Sequence, residues 1–338
     1  MKELDFSPAT NQLKDLMFDV ELISLITDPF SSENHPQKES LNITEYLSVI
    51  NKMNRECLSV VSKDYRLIHN SEALEIGKEV FVHVFPGVNA NDLIPFKVIA
   101  PKRKTFCHID LIHKNINFDV FEQDTWYPII RVTNSYNKMY ALLFEIGFVR
   151  KLCSNGMIFD KQTVKVKINH TKQKQDWEIK ADIQKLKGLE KEFISHMLNL
   201  KRFYLPKKYI FPLVCKALAL NYETKPSVGL LFPESESSTQ VRIQEEGRKL
   251  RDLSNGLVIP YAEDLGENAY TAFNVITDIL SHHEDYQILQ NFAMRSRGLN
   301  TNLLVWIQKF TETAEKRDFK IEDYLSKELA FPIFKESA

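Results

Sequence analysis

The feature of this sequence that most constrains its fold is a series of short β-rich runs between residues 57 and 168. The runs cover residues 57–62, 80–85, 106–112, 128–133, 139–149 and 164–168. Pro, Gly, Asn and Asp stand between them, and short apolar runs bounded by such turn formers are typical of antiparallel strands. We therefore expect a mainly antiparallel sheet in this part of the chain.

A long apolar stripe follows the predicted sheet. Its members recur at three- and four-residue steps and are Leu186, Leu189, Phe193, Met197, Leu200 and Tyr204. This spacing predicts a helix over residues 182–205, which Pro206 ends. Two shorter stripes, within residues 272–280 and 303–310, predict helices in the C-terminal part. The chain is therefore expected to be an α+β protein, in which the N-terminal and central sheet packs against helices.

Composition changes along the chain indicate three parts. Residues 1–45 are an acidic N-terminal helix and linker, and residues 46–220 are the predicted α+β core domain. Residues 221–338 begin with a polar, Ser-rich surface loop at 230–240 and continue as a helical C-terminal region.

The N-terminal part carries nine acids against three lysines. Its apolar residues recur at helical spacing over residues 13–23, which predicts one helix. Residues 31–40 have no periodicity and contain turn formers, so this stretch is interpreted as a linker. The acidic helix is a candidate contact for a protein partner.

Bulk composition excludes some classes of protein without naming one. The 338 residues are 43% hydrophobic and 26% charged, which is close to the average of soluble globular proteins. Lys and Arg number 44 against 45 Asp and Glu, so a polyanionic partner has to be met by a local patch. The longest apolar stretch, residues 209–220, is shorter than the ~20 residues that a membrane span needs. We expect no membrane partner and a cytoplasmic location.

The sequence contains no motif for a metal or a cofactor. Cys57, Cys107, Cys153 and Cys215 form no CxxC pair, and we expect them to be reduced and buried. The nine histidines include no HExxH, and the ten glycines include no GxGxxG or GxxxxGK. We therefore expect no cofactor and no metal.

The strongest charge asymmetry lies in residues 161–216, which hold fourteen Lys or Arg against five acids. The run at 164–168 alternates Val or Ile with lysine, which predicts a strand with one apolar face and one lysine face. Single-strand binders combine cationic grooves with aromatic rings on which bases stack. The candidate nucleic-acid-binding residues are therefore Lys165, Lys167, Lys172, Lys174 and Trp177. The alternative is that the aromatic rings belong to the core and the lysines solvate the outer face of a helix.

A second cluster is polar and lies within two predicted strands and their turns. Its members are Arg131, Asn134, Ser135, Arg150, Cys153 and Asn155. The Asn155-Gly156 pair favours a tight hairpin turn, and we expect Arg150 and Asn134 to lie close together across neighbouring strands. These six residues are the candidate catalytic residues. A nucleophilic Cys153 would need a nearby base and a lowered pKa, and the sequence places no such base beside it.

The polar cluster also carries a family resemblance. The residues concerned are Asn134, Ser135, Tyr136, Gly147, Arg150, Cys153, Asn155, Gly156 and Met157. In this order they resemble the phage- and plasmid-related family known as domain of unknown function 932 (DUF932). The family's upstream V-S-x-x-Y segment is matched by Val61, Ser62 and Tyr65, and its downstream Asn and His by Asn274 with His282 or His283. Where the family has Asp-Gly, this chain has Asn137-Lys138, so a carboxylate that acid–base chemistry could use is absent.

The resemblance covers roughly residues 57–283 and implies a prokaryotic protein of mobile elements. Such elements are rich in single-strand annealing, replication and anti-defence factors. The sequence favours a non-enzymatic factor of DNA metabolism that binds single-stranded nucleic acid. The alternatives are an anti-defence or regulatory protein-interaction factor and an enzyme that uses the cluster from Arg131 to Cys153.

Overall fold

The structure is a computed structural model. It describes residues 6–26, 30–32, 35–39, 42–122, 124–151, 156–158, 165–168, 188–217, 238–281, 309–310 and 312–326. Within these residues the expected α+β architecture is confirmed, with antiparallel sheets in the N-terminal and central part and helices that include the C-terminal ones.

The strands form three antiparallel sheets. In chain order they are β1 Val20–Ile26, β2 Phe30–Ser32, β3 His35–Glu39, β4 Asn42–Asn51, β5 Cys57–Ser62, β6 Leu93–Ile99, β7 Phe106–His113, β8 Phe118–Phe121, β9 Asp124–Ser135, β10 Leu142–Arg150, β11 Gly156–Ile158 and β12 Lys165–Ile168. A seven-stranded sheet has the order β11-β10-β9-β7-β6, with β12 on β10 and β8 on β9. A three-stranded sheet has the order β1-β4-β5, and β2 pairs with β3.

Five of the six β-rich runs are strands, namely β5, β7, β9, β10 and β12. The sixth run, residues 80–85, was expected to be a strand and is instead the end of a helix, α2 Asn70–Val84. The six-residue run is apolar apart from His83 and therefore fits a strand as well as a helix, but the buried residues of the whole segment recur at helical spacing. They are Ala73, Leu74, Gly77, Val80, Phe81 and Val84. A window of six residues therefore predicted a strand, whereas the spacing over the whole segment is that of a helix.

Helix α2 packs directly on the centre of the large sheet. A Cβ atom placed on Gly77 would lie 2.4 Å from Val132 Cγ2 on β9 and 3.4 Å from a ring carbon of Phe144 on β10. The absence of a side chain at Gly77 thus allows the helix backbone to approach the sheet closely.

The other described helices are α1 Thr10–Lys14, α3 Leu189–Arg202, α4 Ile210–Ala217, α5 Ser238–Leu265, α6 Ala269–Ser281 and α7 Ile321–Ser326. Helix α3 confirms the described part of the helix that the apolar stripe predicted. Its Phe193 ring stacks on Phe148 of β10 at 4.6 Å between centroids and meets Trp126 of β9 edge-on at 4.8 Å. The predicted packing of this helix on the sheet is therefore confirmed.

The N-terminal part differs from its prediction. Residues 13–23 do not form one helix, because α1 ends at Lys14 and β1 begins at Val20. Residues 31–40 are not a linker, because β2 and β3 pair as an antiparallel hairpin. The sequence of β1 is apolar at five of its seven positions and fits either period, and pairing with β4 makes it a strand.

Helix α5 was missed by sequence reasoning. The sequence predicts a surface loop at 230–240, but Ser238 to Gln240 are the first residues of this helix. The other residues of the predicted loop lie outside the described part. The helix is polar over most of its length and contains Pro260, so neither hydrophobic spacing nor propensity indicates it. Its C-terminal half is held by tertiary packing, since Val258 and Tyr261 are buried in the main core.

We expect Gly77→Ala to lower the free energy of unfolding by about 1–3 kcal/mol, because the added methyl overpacks the contact with Val132. Gly256→Ala is the matched control, because Gly256 is also helical and a Cβ there meets nothing within 4 Å. The control should raise the free energy of unfolding by about 0.5–1 kcal/mol through helix propensity alone. Urea unfolding of both variants measures the difference, and a stabilised Gly77→Ala would contradict the close packing of α2.

Candidate functional site

The Asn-Ser-Tyr motif and the V-S-x-x-Y segment meet at one end of the large sheet. The Tyr65 hydroxyl donates a hydrogen bond of 2.7 Å to the carbonyl of Ser135. The side-chain amide of Asn134 donates to the carbonyl of Ile68 and to Oδ1 of Asn70, both at 2.9 Å. Two segments about seventy residues apart are thus joined by buried hydrogen bonds.

The first residue of α2 continues this network. The backbone amide of Asn70 donates to the Tyr136 hydroxyl at 3.2 Å, and its side-chain amide donates to the carbonyl of Leu16 at 2.9 Å. The Ser59 hydroxyl on β5 donates to the carbonyl of Tyr136. We call Tyr65, Asn70, Asn134, Ser135 and Tyr136 the motif clamp. It fixes the three-stranded sheet and the start of α2 to the end of β9.

The protonation of these groups fits a structural role. Burial raises the pKa of Tyr65 and of Tyr136 above the usual tyrosine range. Burial also raises the pKa of the neighbouring Cys107 thiol to about 12. A nucleophile or a general base that works near neutral pH requires a pKa near or below the working pH. The motif clamp therefore supplies neutral hydrogen-bonding groups.

A second polar cluster surrounds Arg150 at the far end of β10. Arg150 Nε donates to Oδ1 of Asp124 at 2.5 Å, and Arg150 is 3.4 Å from Oδ2 of Asp264 on α5. The Tyr270 hydroxyl and the Trp126 indole donate to Oδ2 of Asp124 at 2.6 and 3.3 Å. A buried carboxylate that accepts three hydrogen bonds is well satisfied. The cluster thus connects β9 and β10 to helices α5 and α6.

The family-motif residue Asn274 belongs to the same cluster. Its side-chain amide donates to the carbonyl of Tyr270 at 2.9 Å. Burial, and then the charge of Asp124, raises the pKa of Tyr270 well above its usual value, so its hydroxyl stays a donor. Arg150 and Asn274 are far apart in sequence and are brought together through Tyr270. The motif's His282 and His283 lie outside the described residues.

Arg131 belongs neither to the motif clamp nor to the cluster around Arg150. It lies on the sheet face opposite α2. It forms a bidentate ion pair with Asp110 at 2.6 and 2.7 Å. In the strand register Asp110 on β7 and Glu145 on β10 stand opposite Arg131 on either side. Burial works to lower the pKa of Arg131, but the two carboxylates outweigh it and the pKa is raised. Arg131 is therefore a charged, internally neutralised group.

The expected closeness of Arg150 and Asn134 is wrong. Arg150 stands opposite Trp126 in the register of β9 and β10. Asn134 lies eight residues further along β9, which corresponds to about 27 Å at ~3.4 Å per residue. The hairpin is long and regular, so the motif residue beside the turn and the motif residue at the far end of β10 are held apart. The described candidate catalytic residues therefore do not form one site.

Five sequence candidates lie outside the described residues, namely Cys153, Asn155, Lys172, Lys174 and Trp177. The return of the chain that the Asn155-Gly156 pair predicts is confirmed, since Val149 on β10 stands opposite Gly156 on the antiparallel strand β11. Gly156 is already the first residue of that strand. The backbone of β12 places Lys165 opposite Glu145 and Lys167 opposite Leu143.

Sequence reasoning missed a cationic surface formed by three turns, at 51–56, 100–105 and 136–140. It holds six cations and one acid, Glu56, and the cations are Lys52, Arg55, Lys102, Arg103, Lys104 and Lys138. We call this the cationic turn surface.

Side chains join the three turns along the free edge of β5. Arg103 is 3.2 Å from the Glu56 carboxylate and donates to the carbonyl of Cys57 at 2.8 Å. Lys138 donates to the Ser62 hydroxyl at 2.7 Å, at the other end of the strand. The surface follows β5 for about 17 Å.

Four of the six cations keep an uncompensated charge. Arg55 pairs with Glu21 and Arg103 pairs with Glu56. The remaining four pair with no carboxylate in the described part of the chain, and they are Lys52, Lys102, Lys104 and Lys138. Each turn alone is an ordinary polar turn, and only the proline-basic run at 101–104 gives a weak signal in the sequence.

The described residues show neither a metal-binding cluster nor a membrane-spanning helix. No group of three or more His, Cys, Asp or Glu is arranged there to hold a metal ion. Among the described helices, none has the length and apolar character that crossing a membrane requires.

The fold and these clusters define an α+β protein whose central antiparallel sheet is fixed to its helices and to a second sheet by buried polar groups. The family profile described as "Domain of unknown function (DUF932)" matches residues 57–306, which is most of the chain. The chain belongs to the DUF932 family. Comparison with curated proteins and with solved structures gives no significant match.

We expect Asn134→Asp to lower the free energy of unfolding by about 2–3 kcal/mol. The substitution places a carboxylate oxygen against the carbonyl of Ile68 and Oδ1 of Asn70, where a donor is required. Asn137→Asp is the matched control, because Oδ1 of Asn137 accepts a hydrogen bond from the amide of Met139 and Asp retains that acceptor. Chemical denaturation measures both variants. Equal stability of the two would contradict the structural role of the motif clamp.

The thiols of Cys57 and Cys107 should differ in reactivity. Cys107 is buried as expected, but Cys57 is exposed, which corrects the expectation that all the cysteines are buried. With a pKa of about 12, the Cys107 thiol stays protonated in mildly alkaline solution. We expect Cys57→Ser to remove one fast-reacting thiol in a colorimetric thiol assay of the folded protein, and Cys107→Ser to leave the fast phase unchanged. A fast phase lost in Cys107→Ser would contradict this assignment.

Proposed function

We propose that the protein is a non-enzymatic factor that binds single-stranded nucleic acid on the cationic turn surface. The observation that carries the proposal is a group of four lysines in three adjoining turns that pair with no carboxylate in the described part of the chain. Nucleic-acid backbones bind such groups because each phosphate contact releases condensed counterions. The net charge of the whole chain is −1, so this local surplus of positive charge is what a polyanion would meet.

Exposed apolar side chains accompany these lysines. Tyr46 on β4 is 52% exposed and stands opposite Ser62, which accepts the hydrogen bond of Lys138. Met53 is 82% exposed in the first of the three turns. Aromatic rings beside a cationic track provide stacking for unpaired bases, which a duplex does not offer. The position of Tyr46 beside the Ser62 that binds Lys138 therefore favours a single strand as the partner.

The basic segment 161–216 extends this surface in the proposal. Ile168 at the end of β12 stands opposite Leu142, which lies two residues after the turn 136–140. The chain then continues through Lys172 and Lys174 to Trp177. We include these residues, with Lys165 and Lys167 of β12, as further contacts for the strand, and a role in the DNA metabolism of mobile elements as its setting.

The two alternative functions have less support. The protein-interaction hypothesis requires an acidic N-terminal helix as the contact, but residues 20–26 are a strand. The enzyme hypothesis requires the polar residues from Arg131 to Cys153 to form one site. Arg131, Asn134 and Arg150 instead belong to three separate sets of contacts. Neither alternative is carried by a specific observation.

The test neutralises the surface in the variant Lys52→Gln/Lys102→Gln/Lys138→Gln. Fluorescence anisotropy with a labelled single-stranded oligonucleotide measures affinity at several salt concentrations. The slope of log affinity against log salt should become shallower by about 2, because each single-strand phosphate contact contributes about 0.7. The parent should bind a duplex of the same length more weakly.

The matched control is Lys316→Gln/Arg317→Gln/Lys320→Gln, which removes three exposed cations next to α7. Its affinity and salt slope should equal those of the parent. A variant in which Lys165, Lys167, Lys172 and Lys174 are all Glu tests the basic segment and should also lose affinity. A parent protein that binds no oligonucleotide at low salt would end the proposal, as would equal losses in the turn variant and the control.

A further inference from the structure

A cleft of about 770 Å³ lies at the opposite end of β7 from the cationic turn surface. It opens between the turn after α2, the turn after β7 and the N-terminus of α3. Clefts of 300–1,000 Å³, to order of magnitude, are typical of small-molecule sites. Residues 188–191 of the basic segment 161–216 line this cleft, but none of the residues that the proposed function names as nucleic-acid contacts does. The inference below therefore does not rest on nucleic-acid binding.

The N-terminus of α3 points backbone donors into this region. The residue before the helix is Gly188, with φ +87°, and no side chain caps the helix there. The amides of Leu189, Glu190 and Lys191 belong to the first turn and have no partner within the helix. All three residues line the cleft. Free first-turn amides together with the helix dipole attract anions such as phosphate.

His113 provides an independent indication of a ligand. Its side chain is only 6% exposed, and it lines the same cleft. Nδ1 accepts a hydrogen bond from the amide of Asn115 at 3.2 Å, which places the proton of the neutral ring on Nε2. Among the residues that the structure describes, none is a hydrogen-bond partner of Nε2, and Oδ2 of Asp92 at 3.8 Å lies beyond hydrogen-bond distance. A buried donor of this kind is costly unless a ligand satisfies it.

The other residues that line the cleft indicate which groups a ligand would carry besides an anion. Phe85, Val88 and Ile116 form an apolar side, which suits a flat ring. The Asp92 carboxylate is half exposed at the rim, where it would accept hydrogen bonds from hydroxyl groups. Asp92 and Glu190 also repel a bare anion, so the cleft favours a ligand that joins an anionic group to hydroxyls and a ring.

We infer that this cleft binds a nucleoside 5′-monophosphate. The phosphate meets the first-turn amides of α3, Nε2 of His113 and the ammonium of Lys191. The ribose hydroxyls meet Asp92, and the base lies against Phe85 and Ile116.

The test uses isothermal titration calorimetry of the full chain with adenosine 5′-monophosphate, the other common nucleoside 5′-monophosphates, adenosine and inorganic phosphate as separate probes. A monophosphate should bind, whereas adenosine and inorganic phosphate should each bind at least about tenfold more weakly, because each lacks one half of the recognised group. Absence of binding by every monophosphate overturns the inference. Equal binding of adenosine and its monophosphate overturns it too.

Two exposed lysines provide the matched variants. Lys191→Glu reverses a charge at the cleft and should weaken binding by about tenfold or more through loss of a charge-assisted contact. Lys114→Glu reverses the charge of an exposed lysine that does not line the cleft and should bind as the parent does. His113→Phe removes the Nε2 donor and should also weaken binding. Equal affinities of the two lysine variants would overturn the assignment of the cleft even if a monophosphate binds elsewhere.

Discussion

Strand β9 imposes the constraint on which the rest of the structure depends. It is paired along both edges and buried along almost its whole length, and yet it carries Asp124, Arg131 and Asn134. Polar groups removed from water must find partners inside the protein. Asp124, Arg131 and the side-chain NH2 group of Asn134 each bind a different partner. The partners of Asp124 and of Asn134 fix helices to the sheet, and Arg131 joins β9 to its neighbour β7.

This constraint explains what the family motifs do. The Asn-Ser-Tyr residues and the V-S-x-x-Y tyrosine secure the three-stranded sheet and α2 to one end of β9. Arg150 secures α5 and α6 to the other end through Asp124 and Tyr270. A buried ion pair or amide that loses one partner leaves the other unsatisfied, which is more costly than the pair is stabilising. Motif residues can therefore be specific to a family without being catalytic.

The surfaces that are open to a partner lie at the two ends of the sheet. The cationic turn surface is formed where hairpin turns meet the free edge of β5, and the cleft is formed where β7 ends beside the uncapped start of α3. Turns and helix ends expose backbone and charged groups that strand centres must bury. The buried polar groups of β9 hold these ends in place.

The sequence by itself determined the local faces of the chain. Short β-rich runs between turn formers indicated five strands, three- and four-residue spacing indicated α3 and α6, and the order of motif residues indicated the family. These signals are local because they report which side of one element is apolar. The same local signals misjudged residues 80–85 and 13–23, where a short apolar run fits both periods.

Only the tertiary structure decided which elements are neighbours. Pairing with β4 made residues 20–26 a strand, and packing on Val132 made the segment around Gly77 a helix. The register of β9 and β10 separated Arg150 from Asn134 and brought Arg150 to Tyr270, and the free edge of β5 collected three unrelated turns into one cationic surface. These contacts join residues from 10 to 146 positions apart, and a pattern that repeats every two to four residues carries no information about them.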